Sequence, residues 1–429
     1  MSNRWDKLSA DSVQSIVPEY GPLSGIRVLL NGSVVAAPFA ATMLSDFGAE
    51  VIALERPGKG DVARAQMPQI EYNGKHISGA WAQNARNKLS FTLETNFKKS
   101  PKAKEIFLSL IKISDVWIEN IVWLEKLGLS DDMLIEVNPR LIICHVSGFG
   151  TRRFGGMDAE LSRAGYDPIA QAESGWNYLQ GFPDKPPYYA QQYIGDYLTG
   201  LFAANGILMA LINREKTGKG QIIESSLAES YMRVMDDNFT LWSTMKIQKE
   251  RQGIAQTNYQ PARLFQTKDN RWINLGAYGK PSYEKCLKAM GFDLEKYSYE
   301  AAGGSKEAVA SPLGRELDEL FDKFFRERTA KEALSFLLEN NIAASLVRNC
   351  DEVMGCPHWQ LRGDWVIYED QTLGRELTAY GFHPKMSTTP GHVWRGAPAL
   401  GQDTEKIMKN LLGYSEKEIA AIKGKGIID

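Results

Sequence analysis

Short apolar runs alternate with helical patterns through the first half of the chain, and this alternation limits the possible folds more than any other feature. Helical patterns separate the runs; one holds Pro38 and another begins at Pro101, and proline suits a first helical turn. The runs are typical of buried strands and cover residues 25–30, 49–55, 88–94, 115–120 and 140–148. Strands that alternate with helices predict an α/β fold with a parallel, doubly wound sheet.

The loops that follow these strands are the expected ligand-binding edge. In a doubly wound sheet, ligands bind beyond the carboxyl ends of the strands. The loops in question are 31–38, 55–64, 94–97, 120–126 and 147–150.

The length of 429 residues exceeds one ordinary compact core, so more than one domain is expected. A long apolar helix is predicted over 197–214 and a second over about 228–246. The pattern then changes: 262–277 (ARLFQTKDNRWINLGA) predicts an antiparallel hairpin that turns at KDN. We therefore predict a Rossmann-like large domain over 1–229, a smaller α+β domain over 230–340, and a return to the large domain over 341–429. In this last segment, strand 342–347, the strand DWVIYED (364–370) and the final helices would join the large domain or pack between the two domains.

Composition excludes several classes of function. The 43% hydrophobic and 24% charged residues are typical of globular proteins, and a net charge of −2 argues against binding to nucleic acid or a membrane surface. No 18-residue apolar run and no signal-peptide core are evident, and the four cysteines lack CxxC spacing, so a reduced, cytoplasmic location is expected. The five scattered histidines predict no metal site.

Basic residues at the predicted strand ends suggest a phosphate-bearing ligand. The loop 55–64 (ERPGKGDVAR) carries Arg56, Lys59 and Arg64 beside two glycines, although such a loop by itself is more often a solvated surface turn. Further cations lie in 84–88 (NARNK) and at Lys126. Together they predict a polyphosphate nucleotide, whereas the absence of GxGxxG disfavours a nicotinamide cofactor.

Asp196 stands alone as an acid in the apolar and aromatic stretch QQYIGDYLTG (191–200). One role is that of N-cap for a helix beginning at Tyr197. The other is catalytic, because a helix N-terminus keeps a carboxylate ionised and a carboxylate can attack an activated acyl group. From this stretch alone, the capping role is favoured.

A series of motifs resembles the class III (CaiB/BaiF-type) CoA-transferases, from about residue 20 to the end. The order is the one seen in that family, and the tail is most similar to the carnitine-acting and bile-acid-acting branches. The motifs are GPLSGIRVLLNG, FGAEVIALERPGKGD, ARNKLSFTLE, DVWIEN, NPRLIICHVSGFG, YIGDYLTG, KTGKGQ and GHVWRGAPALGQDTEKIMKNLLGYS.

The resemblance implies an interlocked homodimer that transfers coenzyme A from an acyl-CoA to a small carboxylic acid, with no tightly bound cofactor. It also implies that Asp196 is the nucleophile and forms, in turn, a mixed anhydride and an aspartyl-CoA thioester. The positions that match the family's CoA contacts are Val35, Arg56, Leu93, Glu94, Thr95, Asn96, Asn120 and Lys126.

Two other activities stay open at this point. The α-methylacyl-CoA racemases share the fold but need a histidine in an AGHD-like segment. Here 164–167 reads AGYD, and Tyr166, with a usual pKa of about 10, is a poor base at neutral pH. A non-catalytic CoA-binding protein is the third interpretation.

Seven aromatic residues precede or follow the candidate nucleophile closely, and we expect some of them to line an acyl pocket. Aromatic faces bind quaternary ammonium groups and flat acyl groups alike. The expected acceptor is therefore carnitine-like or betaine-like, bile-acid-like, or an aryl acid. The residues are Trp176, Tyr178, Phe182, Tyr188, Tyr189, Tyr193 and Tyr197.

Overall fold

The computed structural model describes residue 5, residues 8–9, 12–121 and 124–429. The expected absence of a signal peptide concerns an N-terminal segment that is only partly described. The predicted loop 120–126 includes residues 122–123, which lie outside the described residues. The described strands are β1 (Arg27–Asn31), β2 (Glu50–Glu55), β3 (Gln69–Tyr72), β4 (Lys75–Ser78), β5 (Lys88–Thr92), β6 (Val116–Glu119), β7 (Ile142–Ser147), β8 (Ile222–Ser226), β9 (Ala262–Gln266), β10 (Trp272–Gly276), β11 (Ala344–Leu346), β12 (Trp365–Asp370) and β13 (Arg375–Tyr380).

The α-helices range from single turns to the long α8. They are α1 (Ala36–Ser45), α2 (Gly79–Asn84), α3 (Pro101–Ile113), α4 (Leu124–Leu127), α5 (Asp131–Val137), α6 (Asp158–Leu161), α7 (Asp167–Glu173), α8 (Ile194–Thr217), α9 (Leu227–Arg233), α10 (Asn238–Met245), α11 (Lys280–Met290), α12 (Lys306–Ala310), α13 (Pro312–Arg326), α14 (Ala330–Glu339), α15 (Cys350–Met354), α16 (Pro357–Leu361), α17 (Thr404–Asn410) and α18 (Glu416–Lys423).

The described residues within 1–176, 189–237 and 360–429 form a first, larger compact unit. A six-stranded parallel sheet with the order β5-β2-β1-β6-β7-β8 forms its centre. Every residue of β1, β2, β5 and β6 is buried, as expected for strands covered on both faces. Leu29 on β1 lies opposite Ile52 on β2 and Trp117 on β6. The predicted α/β fold with a parallel sheet is confirmed, and the strand order reverses between β1 and β6, where such folds bind ligands.

Small residues bring α1 and α8 together on one face of this sheet. Ala37 and Ala40 of α1 and Ala203 of α8 belong to one buried cluster. A Cβ on Gly200 of α8 would lie only 2.8 Å from the carbonyl oxygen of Ala36, so glycine is needed for this approach. The packing fixes the start of α8 beside the start of α1.

Of the helices in the described part of the chain, only α8 is long and apolar enough, by length and composition, to cross a membrane. The sequence predicts no apolar run of 18 residues, because polar residues such as Asp196 and Asn205 interrupt this helix. In its most apolar window, 44% of the residues are buried within the protein, and the helix packs against α1, α9 and two strands. These contacts bury one face of the helix within the protein.

The second compact unit comprises residues 177–188 and 238–359. It contains the antiparallel sheet β11-β10-β9, with the predicted hairpin as β9 and β10. The predicted small domain of 230–340 differs from this unit at both ends. The assignment of strand 342–347 to the large domain is wrong, because β11 pairs with β10. The helix predicted over 228–246 is divided into α9 and α10.

Residues 360–429 belong to the first unit, and part of this segment covers the edge strand β5. The Asp403 carboxylate accepts the amide of Ser90 at 2.8 Å, and the Thr404 hydroxyl accepts the amide of Thr92 at 3.0 Å. Arg395 pairs with Asp403 at 2.6 Å. The WRGAP…GQD part of the tail motif thus satisfies a strand edge that would otherwise be unpaired.

Candidate active site

Asp196 lies in the first turn of α8, which begins at Ile194. The prediction that Asp196 is an N-cap is therefore wrong: the N-cap residue is Tyr193, and its side chain makes no capping hydrogen bond. The buried carboxylate of Asp167 takes that role from another segment. Its Oδ2 accepts the amides of Gly195 at 2.6 Å and of Asp196 at 3.1 Å, so the side chain of Asp196 does not cap its own helix.

The N-termini of two helices meet at the Asp196 carboxylate. The backbone amide of Ala36, the first residue of α1, donates a hydrogen bond to it. Burial and the negative charge of Asp167 raise the pKa of Asp196 to about 7, and the Ala36 hydrogen bond opposes that rise. A carboxyl with a pKa near neutrality is more basic than an ordinary aspartate, and such perturbed groups are concentrated at functional sites.

The loop between β1 and α1 is fixed across the point where the strand order reverses. The Asn120 side chain donates to the Ser33 carbonyl at 2.8 Å and accepts the Ser33 amide at 3.1 Å. Val34 has a φ of 71°, which is unusual for a β-branched residue, and its amide donates to Asp61 at 3.2 Å. Backbone strain of this kind is held by its surroundings and occurs often at functional sites.

A cavity of about 640 Å³ opens beside Asp196 within the first unit. It lies beyond the carboxyl ends of β1, β6 and β7, as the doubly wound fold predicts. Its lining includes Ser33, Val34, Ala36, Glu119, Asn120, Glu125, Asp131, Asp132, His145, Arg152, Arg153, Arg163, Tyr166 and Asp196. Both carboxylates and basic groups therefore surround the candidate nucleophile.

His145 also lines this cavity, and its isolated position in the sequence gives no sign of such a role. Its Nδ1 lies 2.5 Å from Glu119 Oε1, and its Nε2 lies 3.1 Å from Asp131 Oδ1. Burial lowers the pKa of His145, but the two carboxylates outweigh burial and raise the pKa to about 10. The imidazole is consequently protonated at neutral pH and cannot act as a base there.

Tyr166 lines the same cavity and is 65% exposed. It occupies the position at which racemases of this fold would need histidine. Since His145 is held in its charged form, neither residue supplies a neutral imidazole to remove a proton from carbon.

A second cavity, of about 370 Å³, brings together five of the eight predicted CoA contacts: Arg56, Glu94, Thr95, Asn96 and Lys126. Lys59 also lines it. The short helix α4 connects the two sites, because its first two residues line the Asp196 cavity and its last two line this one. Three cations around one cavity suit the phosphates of a nucleotide.

The other three predicted contacts have different positions. Asn120 lines the Asp196 cavity, where it also braces Ser33. The side chains of Val35 and Leu93 are buried, with exposed fractions of 2% and 0%. A ligand can therefore reach these two residues only through their backbone.

Several of the basic residues proposed for phosphate binding are structural. Arg64 donates twice to Glu55, at 2.7 Å each, and its guanidinium stacks on Trp81. In the NARNK segment, Arg86 pairs with the buried Asp46 at 2.6 Å. Lys88 of that segment is also buried, and it donates to the carbonyls of Pro38 and Asn84 at 2.7 and 2.5 Å. Carboxylates neutralise the charges of the two arginines, and the ammonium group of Lys88 is bound to backbone carbonyls inside the protein.

None of the seven aromatic residues lines the cavity beside Asp196. Trp176 packs against Tyr231 with a centroid separation of 5.3 Å, and Tyr197 packs against Phe39 at 4.8 Å. Tyr178, Phe182 and Tyr188 belong to the second unit. Tyr189 and Tyr193 of the first unit are exposed, with exposed fractions of 54% and 41%. Tyr166, a poor base by its usual pKa, does line the cavity.

Residues 23–404 match the model of CoA-transferase family III. The chain belongs to this family. It is 32% identical, over 96% of its own length and 90% of the relative's, to the bile acid CoA-transferase BaiK of Clostridium scindens. It is 33% identical, over 95% and 98% of the two chains, to the beta subunit of the succinyl-CoA–L-malate CoA-transferase of Chloroflexus aurantiacus.

Solved structures agree with this assignment. A CaiB/BaiF family protein from Brucella suis superimposes with a TM-score of 0.78 and 26% identity, covering 92% of this chain and 100% of that one. A protein from Mycobacterium tuberculosis gives a TM-score of 0.77 and 25% identity, covering 90% and 99%. The predicted family and its enzyme class, CoA-transferase, are thereby confirmed.

Replacement of Arg56 by alanine is expected to raise the KM of the CoA-transferase for acyl-CoA about tenfold and to leave kcat within about threefold, because a guanidinium–phosphate bond contributes to binding alone. Arg56 is exposed, so folding should be unaffected. Initial rates across acyl-CoA concentrations provide the measurement. Lys219→Ala, an exposed cation beyond the far end of α8, is the control, and an equal KM increase there would contradict the assignment.

The close approach of Gly148 and Gly165 gives another prediction. A Cβ on Gly165 would lie 2.3 Å from the Cα of Gly148, so Gly165→Ala must displace the segment that leads to Asp167. We expect kcat to fall about 10- to 100-fold, as misplacement of reacting groups typically causes. Gly79→Ala, where the added Cβ meets only an ordinary 3.8 Å contact, should retain activity. Rate measurements on both folded variants check this, and equal rates would refute it.

Proposed function

We propose that this enzyme moves coenzyme A from an acyl-CoA to a free carboxylic acid through covalent intermediates on Asp196. The observation that carries the proposal is the Asp196 carboxylate, with a pKa raised to about 7, at the wall of a 640 Å³ cavity and at the N-termini of α1 and α8. A more basic carboxylate is a better nucleophile, and its anionic form is available at neutral pH.

Four bond exchanges complete the reaction. A carboxylate oxygen of Asp196 attacks the donor thioester carbonyl, and the C–S bond breaks to give a mixed anhydride and CoA thiolate. The thiolate then attacks the aspartyl carbonyl, which releases the donor acid and leaves an aspartyl-CoA thioester. The acceptor carboxylate displaces the thiolate to form a second anhydride. The thiolate finally attacks the acceptor carbonyl, which frees Asp196 and forms the new acyl-CoA.

The two cavities suggest how the CoA molecule lies. Arg56, Lys59 and Lys126 would bind its phosphates, while the thioester end reaches Asp196 along α4. The backbone of Val35 and Leu93 and the side chains of Glu94, Thr95, Asn96 and Asn120 complete the proposed CoA site. In the described residues, neither Arg56 nor Lys59 forms an ion pair with a carboxylate, which leaves both available to a phosphate.

The acceptor is proposed to be a carnitine-like or betaine-like acid, a bile-acid-like acid, or an aryl acid. The name of the Clostridium scindens relative supports the bile-acid class for that protein. Competition among representatives of the three classes, with succinate and malate included, tests the choice. Exclusive use of the dicarboxylates would reject all three classes.

We also propose a homodimer of interlocked subunits in the cytoplasm. One face of α8 exposes large apolar side chains, Leu201, Phe202, Leu208, Met209 and Ile212, which a second copy would cover. All four cysteines are free thiols, in keeping with a reducing compartment. Light scattering on the purified enzyme tests the dimer, and a monomeric mass at micromolar concentration would exclude it.

Trapping of the covalent intermediate tests the reaction itself. The enzyme is mixed with an acyl-CoA and treated with hydroxylamine or borohydride, and its peptides are mapped. Modification at Asp196, absent from Asp196→Ala, supports the proposal. Binding without modification or exchange would indicate a non-catalytic CoA-binding protein. Incorporation of solvent deuterium beside the thioester would instead indicate a racemase.

A further inference from the structure

The carboxylate of Asp167 takes no part in the four bond exchanges, although it is almost wholly buried, with an exposed fraction of 2%. Its oxygens accept the amides of Gly195 and Asp196 at 2.6 and 3.1 Å. They also accept the Tyr231 hydroxyl at 3.1 Å and the Gln171 side-chain amide at 2.5 Å. Such a fully bonded carboxylate is rigidly placed relative to the first turn of α8.

The groups around Asp167 extend this rigidity. Gln171 donates to the Ala190 carbonyl at 3.1 Å and accepts the Ala190 amide at 2.9 Å, which fixes the chain just before α8. Tyr231 lies so close to Gly195 that a Cβ there would be 2.2 Å from its ring. A glycine directly before Asp196 is therefore required for this contact.

The negative charge of Asp167 is not neutralised by the groups that bind it. Its four donors are two backbone amides, a hydroxyl and a carboxamide, and none of them carries a positive charge. Burial is the largest cause of the raised pKa of Asp196, and this charge is the second. It also contributes, after burial, to a raised pKa for Tyr231, so that hydroxyl stays protonated.

Other titratable groups on the elements packed against α8 do not replace this effect. The helix α1 has none in its sequence AAPFAATMLS. Besides Asp167 and Tyr231, the groups on the remaining elements are Glu173 on α7, Glu229 and Arg233 on α9, Cys144 and His145 on β7, and Glu224 on β8. Among the charged side chains of the described residues, Asp167 is the one whose Coulomb interaction raises the pKa of Asp196.

We propose that Asp167 is a positioning residue that orients Asp196 through the first turn of α8 and favours the acylated states of Asp196 over the free carboxylate. The inference rests on the proposed covalent function of Asp196. The anhydride and the thioester of Asp196 are both neutral, so acylation removes the repulsion between two buried carboxylates. The free enzyme carries that repulsion, and the intermediates do not.

Asp167→Asn removes the charge and retains the size, which makes it the central variant. We expect the pH midpoint of kcat/KM to move down by about one unit and the trapped fraction of acyl-enzyme to fall about tenfold at equal acyl-CoA saturation. Tyr231→Phe is the matched variant, because it removes one hydrogen bond and keeps the charge. Its midpoint is expected to move up.

The outcomes separate the possibilities. If Asp167→Asn and Tyr231→Phe both lose kcat with an unchanged midpoint, Asp167 has only a structural role and the proposal is overturned. If Asp167→Asn does not fold, Asp167→Ser supplies an uncharged cap, and its midpoint decides in the same way. If neither folds, a higher midpoint in Tyr231→Phe supports the proposal, because the Asp167 charge then loses one hydrogen-bond donor, and an equal or lower midpoint overturns it. Absence of any trapped acyl group on wild-type Asp196 would instead reject the covalent function itself.

Discussion

Asp196→Asn is expected to lower kcat for CoA transfer by about 10⁴-fold or more. The amide keeps the shape of the side chain but cannot attack a thioester, and loss of a nucleophile costs several orders of magnitude in comparable enzymes. Acyl-CoA binding should change less than about threefold, since the cations proposed to bind the CoA phosphates lie in a separate cavity. Chromatographic assay of both CoA esters measures transfer, and calorimetric titration measures binding.

The matched control is Glu125→Gln, which removes an exposed carboxylate from the lining of the same cavity. It should retain transfer within about threefold. Asp196→Ala is assayed beside the asparagine variant, because deamidation of asparagine would regenerate aspartate. Retention of more than a tenth of the activity in Asp196→Ala, or an equal loss in Glu125→Gln, would mean that Asp196 is not the nucleophile.

Much of the large sheet was predictable, because parallel strands buried on both faces appear in a sequence as continuous apolar runs. The hairpin of β3 and β4 was not predicted. The Asn-Gly pair at 73–74 is a sequence signal for it, and both residues have positive φ, as in the two-residue turns that Asn-Gly favours. The strand β11 was misplaced because three residues do not reveal which sheet they join.

Tertiary contacts decided the parts of the site that sequence reasoning missed. Asp167 follows Tyr166 in a segment noted only for its missing histidine, and nothing in the sequence connects it to Gly195. Arg64 and Arg56 occur in one basic loop, yet Arg64 is paired internally with Glu55 and Arg56 lines a cavity. Charge along a sequence marks a cation, whereas its partner depends on the fold.

The arrangement of the β1–α1 loop and α8 explains the position of the Asp196 carboxylate. The β1–α1 loop, fixed by Asn120, delivers the Ala36 amide to Asp196 from one side of the strand-order reversal. The start of α8 delivers Asp196 itself, and Asp167 fixes that start. One helix N-terminus favours the anion, while burial and Asp167 oppose it more strongly, so the carboxyl titrates near neutral pH.

The same balance predicts that Asp196→Asn is more stable than the wild-type enzyme at alkaline pH. The pKa of Asp196 is raised from the usual 3.8 to about 7 in the folded protein. The folded state therefore holds a proton that the unfolded state releases between these two values. Protonated Asp196 contributes stability that is complete below pH 3.8 and disappears as the pH rises through 7.

At about 1.4 kcal/mol per pH unit, the raised pKa can lower the free energy of unfolding of the wild-type enzyme by at most about 4 kcal/mol. Because Asp196 is partly exposed to solvent, we expect Asp196→Asn to gain about 2–4 kcal/mol in stability over the wild-type enzyme at pH 8 relative to pH 4. Urea unfolding of both proteins at several pH values measures it. Glu125→Gln, at an exposed carboxylate, should show no such dependence. Two results would contradict this prediction: an equal stability difference at pH 4 and pH 8, or a wild-type enzyme that is the more stable at pH 8. Either would mean that burial and Asp167 do not destabilise the ionised Asp196, so acylation would relieve no repulsion.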